Sequence, residues 1–117
     1  MIRTKRVYDA PSGEDGARVL VDRLWPRGVS KERAKLDLWL KDAAPSDELR
    51  KRFHNDPTRW KEFKESYFKE LDDRRDALKP LLDMVKKGTV TLLYAAKDER
   101  FNNAVALKTY LESKIEE

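Results

Sequence analysis

The apolar run at positions 89–95, TVTLLYA, constrains the fold of this chain more than any other segment. Its branched and aromatic side chains favour a strand. Because polar residues barely interrupt the run, it suits a strand buried on both faces, which is typical of covered parallel sheets. The segment therefore predicts the buried strand of an α/β protein.

Two earlier segments also predict strands. Residues 2–8 favour a first strand that ends at a turn, and residues 18–22 form a short apolar run before a Trp-Pro pair that interrupts regular structure. The chain between the second strand and the last is long enough for a helical crossover between parallel strands. We therefore expect a single α/β domain over residues 1–117, with a small, at least partly parallel sheet packed with helices.

Short helices are predicted in the first half of the chain. Ser30 is suited to cap a helix over residues 31–34, and Ser46 is suited to begin a helix that continues to about Phe53. Residues 36–40 are apolar but select neither helix nor strand. The sequence thus predicts two short helices and leaves the conformation between them open.

Longer helices follow from the spacing of apolar residues. The clearest begins behind Asp56 and Pro57, a helix-starting pair, and repeats apolar side chains at spacings of three and four: Trp60, Phe63, Tyr67 and Leu71. At that spacing its aromatic residues are predicted to form core rather than a stacking platform for bases. Pro80 disfavours a helix interior, so the next apolar series predicts a separate or kinked helix that ends at Gly88. A last helix carries apolar residues between positions 105 and 115.

The composition excludes several classes of protein. No cysteine is present, which excludes disulfide scaffolds and cysteine-ligated zinc. No segment approaches the roughly 20 apolar residues of a membrane-spanning helix, and the first residues lack the apolar core of a secretion signal. We therefore expect a cytoplasmic protein without a membrane partner.

The positive charge is distributed unevenly. Residues 1–59 contain 14 Lys and Arg against 10 Asp and Glu, whereas residues 60–117 contain 12 of each, so the whole formal excess of +4 lies in the first half. That half holds, among others, Arg18, Arg23, Arg27, Arg50 and Arg52. An anionic ligand is therefore expected to meet the first half of the chain.

Polar loops follow the second strand and the strand at 89–95, and ligands of parallel sheets bind beyond such carboxyl ends. The candidate ligand-binding residues in these loops are Arg23, Trp25, Arg27, Lys97, Asn102 and Asn103. Guanidinium groups suit phosphate or carboxylate, an indole can stack, and free N–H groups before a helix favour an anion. In the structural alternative, Trp25 fills the core and Asp98 or Asn102 caps the following helix. The arginines then pair with nearby carboxylates, namely Asp22, Asp37 or Asp42.

No complete catalytic motif is present, and the candidates for proton transfer are isolated. They are Asp22, His54 and Asp98. Histidine side chains in general change charge near neutral pH, which suits acid–base chemistry, although a hydrogen bond before a helix is the more ordinary role for a residue placed like His54. A single histidine without ligand spacing predicts no metal site, and no cofactor is identified. The sequence leaves open whether the chain is an enzyme and what its oligomeric state is.

Several motifs, taken in chain order, resemble a known family. They are VDRLWPRG at 21–28, APS at 44–46, HNDP at 54–57 with Trp60, and LLYAAKD at 92–98 with Asn102 and Asn103. Together they resemble the short, YeaO-like branch of the family called domain of unknown function 488. The resemblance implies a bacterial or archaeal protein from a family without an established activity. Longer members look similar in carrying a Cys-His-Arg cluster after the last strand, which this chain replaces with Lys97-Asp98 and Asn102-Asn103.

These observations support two main hypotheses of function. The first is binding, with or without catalysis, of a small ligand bearing phosphate or carboxylate, held by Arg23, Arg27 and Lys97. Asp22 or Asp98 would then orient the ligand or transfer a proton. The alternative is a nucleic-acid-binding or regulatory module that uses the basic first half, although no aromatic-basic motif of single-strand RNA readers is present. A third hypothesis, a protein-interaction module, predicts a large exposed apolar patch. We favour the small-ligand hypothesis.

Overall fold

Four parallel strands form one sheet in the computed structural model, which describes residues 1–53 and 56–115. The strands are β1 (Ile2–Arg6), β2 (Ala17–Leu20), β3 (Leu38–Trp39) and β4 (Val90–Tyr94). Their order is β1-β4-β2-β3, and Val90 lies level with Ile2 on one side and with Ala17 on the other. The predicted α/β class is confirmed, and the sheet formed by the described residues is wholly parallel.

Five α-helices accompany the sheet within the part of the chain that the structure describes. They are α1 (Lys31–Ala34), α2 (Asp47–Phe53), α3 (Trp60–Asp72), α4 (Arg75–Lys87) and α5 (Asn103–Ile115). The chain leaves β2, passes through α1, β3 and the next three helices, and returns in parallel to β4. The predicted helical crossover is therefore present, with one additional strand inside it.

β4 is buried along its whole length, as its apolar sequence predicts. Successive side chains of a strand point to opposite faces of the sheet. Val90 and Leu92 belong to the main core, to which α2, α3, α4 and α5 all contribute. Leu93 lies in a smaller cluster that includes two half-buried tryptophans, Trp25 and Trp39. The helices thus cover one face of β4, and the segment between β2 and β3 covers the other.

β3 is the strand that the sequence did not resolve. It pairs with β2 through Leu38 opposite Val19 and Trp39 opposite Leu20, and the next backbone N–H, of Leu40, donates to the Leu20 carbonyl oxygen at 2.9 Å. Two residues have no periodicity of their own, so only the pairing with β2 defines this strand. The strands β1 and β2 each end two residues earlier than predicted.

Pro80 lies inside α4, where the sequence disfavoured it. The helices α3 and α4 are separate, as predicted, but the break between Asp72 and Arg75 precedes the proline. In the second turn of α4 the proline removes only one backbone hydrogen bond, which the helix tolerates. Arg74 lies in the break and donates to the Ala44 carbonyl oxygen at 3.0 Å. A tertiary contact thus accompanies the break.

Candidate functional site

A cavity of about 370 Å³ lies at the carboxyl edge of the sheet. Because β1, β4 and β2 are adjacent and parallel, the segments that follow them leave the sheet at this same edge, and each contributes to the lining. The remaining lining residues lie on α2 and α3 or just before these helices. The charged lining residues are Asp22, Arg23, Arg27, Arg50 and Asp56. The two polar loops identified in the sequence therefore converge on one cavity.

Asp22 ties these two loops together. Its Oδ2 accepts a hydrogen bond from the Ala95 N–H at 2.9 Å, and its Oδ1 accepts one from Asn103 Nδ2 at 3.0 Å. The same amide of Asn103 donates to the Val21 carbonyl oxygen at 2.9 Å. Burial raises the pKa of Asp22, against the opposing effect of its two hydrogen bonds and the charge of Arg50. Asp22 is thus a largely buried carboxylate whose two oxygens are both engaged within the protein.

Three arginines line the cavity, and none of them has a carboxylate within hydrogen-bond distance among the described residues. Arg23 Nε lies 3.9 Å from Asp47 Oδ1, and Arg50 Nη1 lies 3.9 Å from the same oxygen. Neither separation is a hydrogen bond, and Arg23 Nε is buried with no hydrogen-bond partner among the described residues. Arg27 is exposed, and within the described ranges it makes neither an ion pair nor a hydrogen bond. The carboxylate beside Arg23 is therefore Asp47, which the structural alternative did not include.

Aromatic side chains are the other chemical component of the lining. The Trp60 ring stacks on Phe63 with 5.7 Å between centroids and 20° between planes, and Phe101 meets Trp60 edge-on at 5.4 Å. Phe53 meets Phe63 edge-on at 5.9 Å. Trp60 and Phe63 pack against the main core, as the sequence predicts, but they also line the cavity.

The loop after β4 divides its residues between helix capping and the cavity. Asn102 is buried, accepts a hydrogen bond from a backbone N–H of the first turn of α5 at 2.9 Å, and lines the cavity as well. Asp98 is exposed and accepts the N–H groups of Phe101 and Arg100, and these bonds hold its pKa below the ordinary value. Asp98 and Lys97 are both exposed and do not line the cavity.

Trp25 belongs to the smaller core cluster and to the cavity wall at once. Its Nε1 donates to the Val29 carbonyl oxygen at 2.6 Å, and its ring meets Trp39 edge-on with 5.3 Å between centroids. Trp39 Nε1 in turn donates to the Asp22 carbonyl oxygen at 2.8 Å. These contacts fix the loop after β2 and hold its two arginines beside the cavity.

Sequence reasoning did not assign several lining residues to a site. Arg50 and Phe53 lie on α2, whose first residues are held by Ser46: its Oγ accepts the Leu49 N–H at 3.1 Å and donates to Glu70 Oε2 at 2.6 Å. The helical repeat buries Leu49 and Phe53 and sets Arg50 next to them, so it could have indicated that Arg50 lies at the edge of the core. The lining residues Tyr8 and Phe101 had no such signal.

His54, the third candidate for proton transfer, lies outside the described residues. Within residues 1–53 and 56–115, no three side chains of His, Cys, Asp or Glu are gathered as a metal site. No helix in those ranges combines the length and apolar character needed to cross a membrane.

The fold is that of a small α/β protein with a cavity, lined by charged and aromatic side chains, at the carboxyl edge of a parallel sheet. The chain belongs to the family described as "Inactive DUF488-N3 subclade", whose model matches residues 1–117, and this confirms the family resemblance of its motifs. It is 46% identical over 112 residues to "Uncharacterized protein YeaO" of Escherichia coli (strain K12), covering 96% of this chain and 97% of that protein. It is 38% identical over 113 residues to "Uncharacterized protein Rv3073c" of Mycobacterium tuberculosis, covering 97% and 95%. No solved structure matches the chain.

Proposed function

We propose that this protein binds a small anionic ligand, bearing phosphate or carboxylate, in the cavity at the carboxyl edge of its sheet. One observation carries the proposal: Arg23, Arg27 and Arg50 line one cavity, and among the described residues none of the three has a carboxylate within hydrogen-bond distance, since Asp47 lies 3.9 Å from Arg23 and from Arg50. Guanidinium groups present several donors in a fork that matches phosphate and carboxylate. The ligand would therefore supply acceptors that the described residues do not.

The unused donor of Arg23 strengthens this argument. A buried N–H without an acceptor costs roughly 1–3 kcal/mol relative to a satisfied one. The Nε of Arg23 is such a group among the described residues, and its side chain lines the cavity. An anion at this position would accept a hydrogen bond from this N–H and remove that cost. Ligand binding would therefore stabilise the folded arrangement of the loop.

We propose binding without turnover. Both oxygens of Asp22, the most buried carboxylate of the lining, accept hydrogen bonds from the protein itself, which suits a positioning role better than proton transfer. Asp98, the other described candidate for that chemistry, does not line the cavity. The word "Inactive" in the family description agrees with binding without turnover. We propose that this binding takes place in the cytoplasm.

The test is a thermal-shift screen of the wild type with nucleotides, sugar phosphates and dicarboxylates. A ligand at a hundredfold excess over its dissociation constant stabilises the folded state by about 2.7 kcal/mol, which is a measurable shift. We expect a shift that the Arg23→Ala/Arg27→Ala variant loses. The matched control is Lys31→Ala/Arg33→Ala, which removes two exposed cations outside the cavity lining and should keep the shift.

The nucleic-acid hypothesis is separated from the small-ligand proposal by salt. Binding to phosphate backbones weakens steeply as salt rises, because it releases condensed counterions. A short oligonucleotide that binds only at low salt, with equal losses in both double variants, would contradict the proposal and favour the basic first half as a whole. No shift with any small anion would also contradict it.

A further inference from the structure

We infer that the anionic ligand is a nucleoside monophosphate, with its phosphate at the arginines and its base against the aromatic wall of the same cavity. The inference rests on the proposed function and specifies its ligand. Cations and aromatic rings both line the cavity: Arg23 and Arg27 lie in the loop after β2, and Trp60 and Phe63 lie on α3. A ligand that used both segments would carry an anionic group and a planar ring.

The aromatic wall is suited to a planar ring. Trp60 is half-buried and lines the cavity, and its ring is braced by Phe63 at 5.7 Å and by Phe101 at 5.4 Å between centroids. A braced indole loses little conformational freedom when a ligand stacks on it. Every nucleobase has a π-face, so this wall would favour a base over an aliphatic group of similar size.

Asp22 distinguishes a base from a plain aromatic acid. Each of its carboxylate oxygens accepts one hydrogen bond from the protein and retains capacity for another. An aromatic acid without nitrogen, such as a benzoate, offers no N–H to a carboxylate in the lining, whereas nucleobases offer ring or exocyclic N–H groups. Arginines, an acceptor and an aromatic wall in one cavity therefore match phosphate, base N–H and base ring together.

The size of the cavity favours a ligand no larger than one nucleotide. Ligand pockets span roughly 300–1,000 Å³, and a cavity of about 370 Å³ is at the lower end of that range. A dinucleotide cofactor needs two ring systems and a pyrophosphate. The cavity therefore favours a free mononucleotide.

The decisive comparison uses the wild type and five kinds of probe, measured by isothermal titration calorimetry. The probes are the four common nucleoside 5′-monophosphates, ribose 5-phosphate, the matching nucleosides, a dicarboxylate and a short 5′-phosphorylated oligonucleotide. We expect at least one monophosphate to bind about 5- to 150-fold more tightly than ribose 5-phosphate, which is the contribution of one stacked base. We also expect the nucleosides to bind more weakly than their monophosphates.

The outcomes separate this inference from the proposed function. If ribose 5-phosphate or a dicarboxylate binds as tightly as every monophosphate, and the Arg23→Ala/Arg27→Ala variant loses that binding, the nucleotide is wrong and anion binding stands. If no anion binds, both are wrong. If a 5′-phosphorylated oligonucleotide binds more tightly than any monophosphate, the free mononucleotide is wrong.

A matched pair of substitutions on α3 tests the position of the base. Trp60→Leu should weaken monophosphate binding by about 5- to 150-fold and leave ribose 5-phosphate unchanged. Phe68→Leu is the control, because Phe68 is half-buried on the same helix, packs against Tyr110 and does not line the cavity. Circular dichroism confirms that both variants fold. Equal losses for the two ligands in Trp60→Leu would overturn the stacking geometry.

Discussion

The two ends of β2 use arginine in different ways. Near the start of the strand, Arg18 is buried, its Nη1 lies 2.5 Å from Asp15, and its Nε and Nη2 donate to the Ala34 carbonyl oxygen at 3.0 and 2.8 Å. Asp15 also pairs with Lys5 at 3.1 Å. Beyond the end of the strand, the buried Nε of Arg23 has no hydrogen bond among the described residues, and its carboxylate neighbour is 3.9 Å away.

Arg18 is neutralised within the protein and stabilises the fold, whereas Arg23 keeps a charge that a ligand can neutralise. In the matched cluster, formed by Lys5, Asp15 and Arg18, each buried charge has a close partner of opposite sign. Removing one partner there would leave an uncompensated buried charge. At the cavity the arginines already lack close partners, so removing one should cost little stability and much affinity. Substitutions at the two ends of β2 should therefore give opposite patterns.

The largest expected effect is in the matched cluster. Asp15→Ala leaves Arg18 buried without its carboxylate, and breaking a buried pair in this way costs about 3–5 kcal/mol of unfolding free energy. Urea denaturation measures the loss. Glu14→Ala is the control, since it removes an exposed neighbouring carboxylate and should change stability by no more than about 0.5 kcal/mol. A loss below about 1 kcal/mol for Asp15→Ala would remove the basis of the comparison.

The next effect is at Asp22, a lining carboxylate that hydrogen-bonds to both loops. Asp22→Ala leaves the Ala95 N–H and one donor of Asn103 without this acceptor, and a hydrogen bond to a charged group contributes about 1.5–3 kcal/mol. The exposed Asp9, at the same edge of the sheet, provides the control Asp9→Ala. Equal urea midpoints for the two variants would show that Asp22 does not hold the loops together.

A smaller effect is expected where α2 begins. Ser46→Ala removes the cap of this helix and its bond to Glu70, and loss of such a cap costs about 0.5–2 kcal/mol. Because α2 carries Arg50 and Phe53, ligand affinity should fall together with stability. Ser46→Thr keeps a hydroxyl that can both cap the helix and donate to Glu70, so it should recover most of the loss. Full stability in Ser46→Ala would contradict the capping role.

The smallest stability effect is expected at the cavity mouth. Arg27 is exposed and makes no ion pair among the described residues, so Arg27→Ala should change the free energy of unfolding by no more than about 0.5 kcal/mol. Its effect should appear instead in the binding of the anion found by the thermal-shift screen. A large stability loss would show that Arg27 stabilises the fold as the matched cluster does, and would contradict the proposed difference between the two ends of β2.

The last prediction concerns the direction in which the stability of the folded state changes with pH at Asp22 and at Asp15. Burial raises the pKa of Asp22, so the folded state favours its protonated form, and the wild type should gain stability over Asp22→Asn as pH falls from neutral through that raised pKa. For Asp15, burial is outweighed by hydrogen bonds from Ser12, Lys5 and Arg18, which lower the pKa. The wild type should therefore lose stability relative to Asp15→Asn as pH falls below the ordinary value of 3.8. The measurement is the free energy of unfolding against pH for the wild type and both Asn variants. Stability differences that change in the same direction for Asp22→Asn and Asp15→Asn would contradict this contrast.

Much of the fold was predictable because its signals are local. The apolar run of β4, the cap at Ser46 and the repeat on α3 each act within a few residues, and each is found close to where the sequence placed it. β3 was not predictable, because two residues acquire strand conformation only by pairing with β2. Pro80 was misjudged because the start of α4 depends on a break that lies upstream of it.

The candidate site was predictable only in part. The convergence of the loops after β2 and β4 follows from parallel topology, and Asp22 with Asn103 shows it directly. Arg50 and the aromatic wall come from α2 and α3, whose approach to the same edge depends on how the helices pack. The sequence placed Lys97 in the site, but its side chain is exposed and does not line the cavity.

By itself the sequence determined the class of this protein, because an uninterrupted apolar strand must be covered and the surrounding apolar spacing supplies the helices to cover it. Only the tertiary structure decided which arginines have a carboxylate partner within hydrogen-bond distance. Arg18 and Arg23 lie five positions apart in the same charged half of the chain. Their surroundings differ because Asp15 is held within hydrogen-bond distance of one, whereas folding brings Asp47 no closer than 3.9 Å to the other. Hydrogen bonding falls away steeply over that difference, and sequence spacing does not encode it.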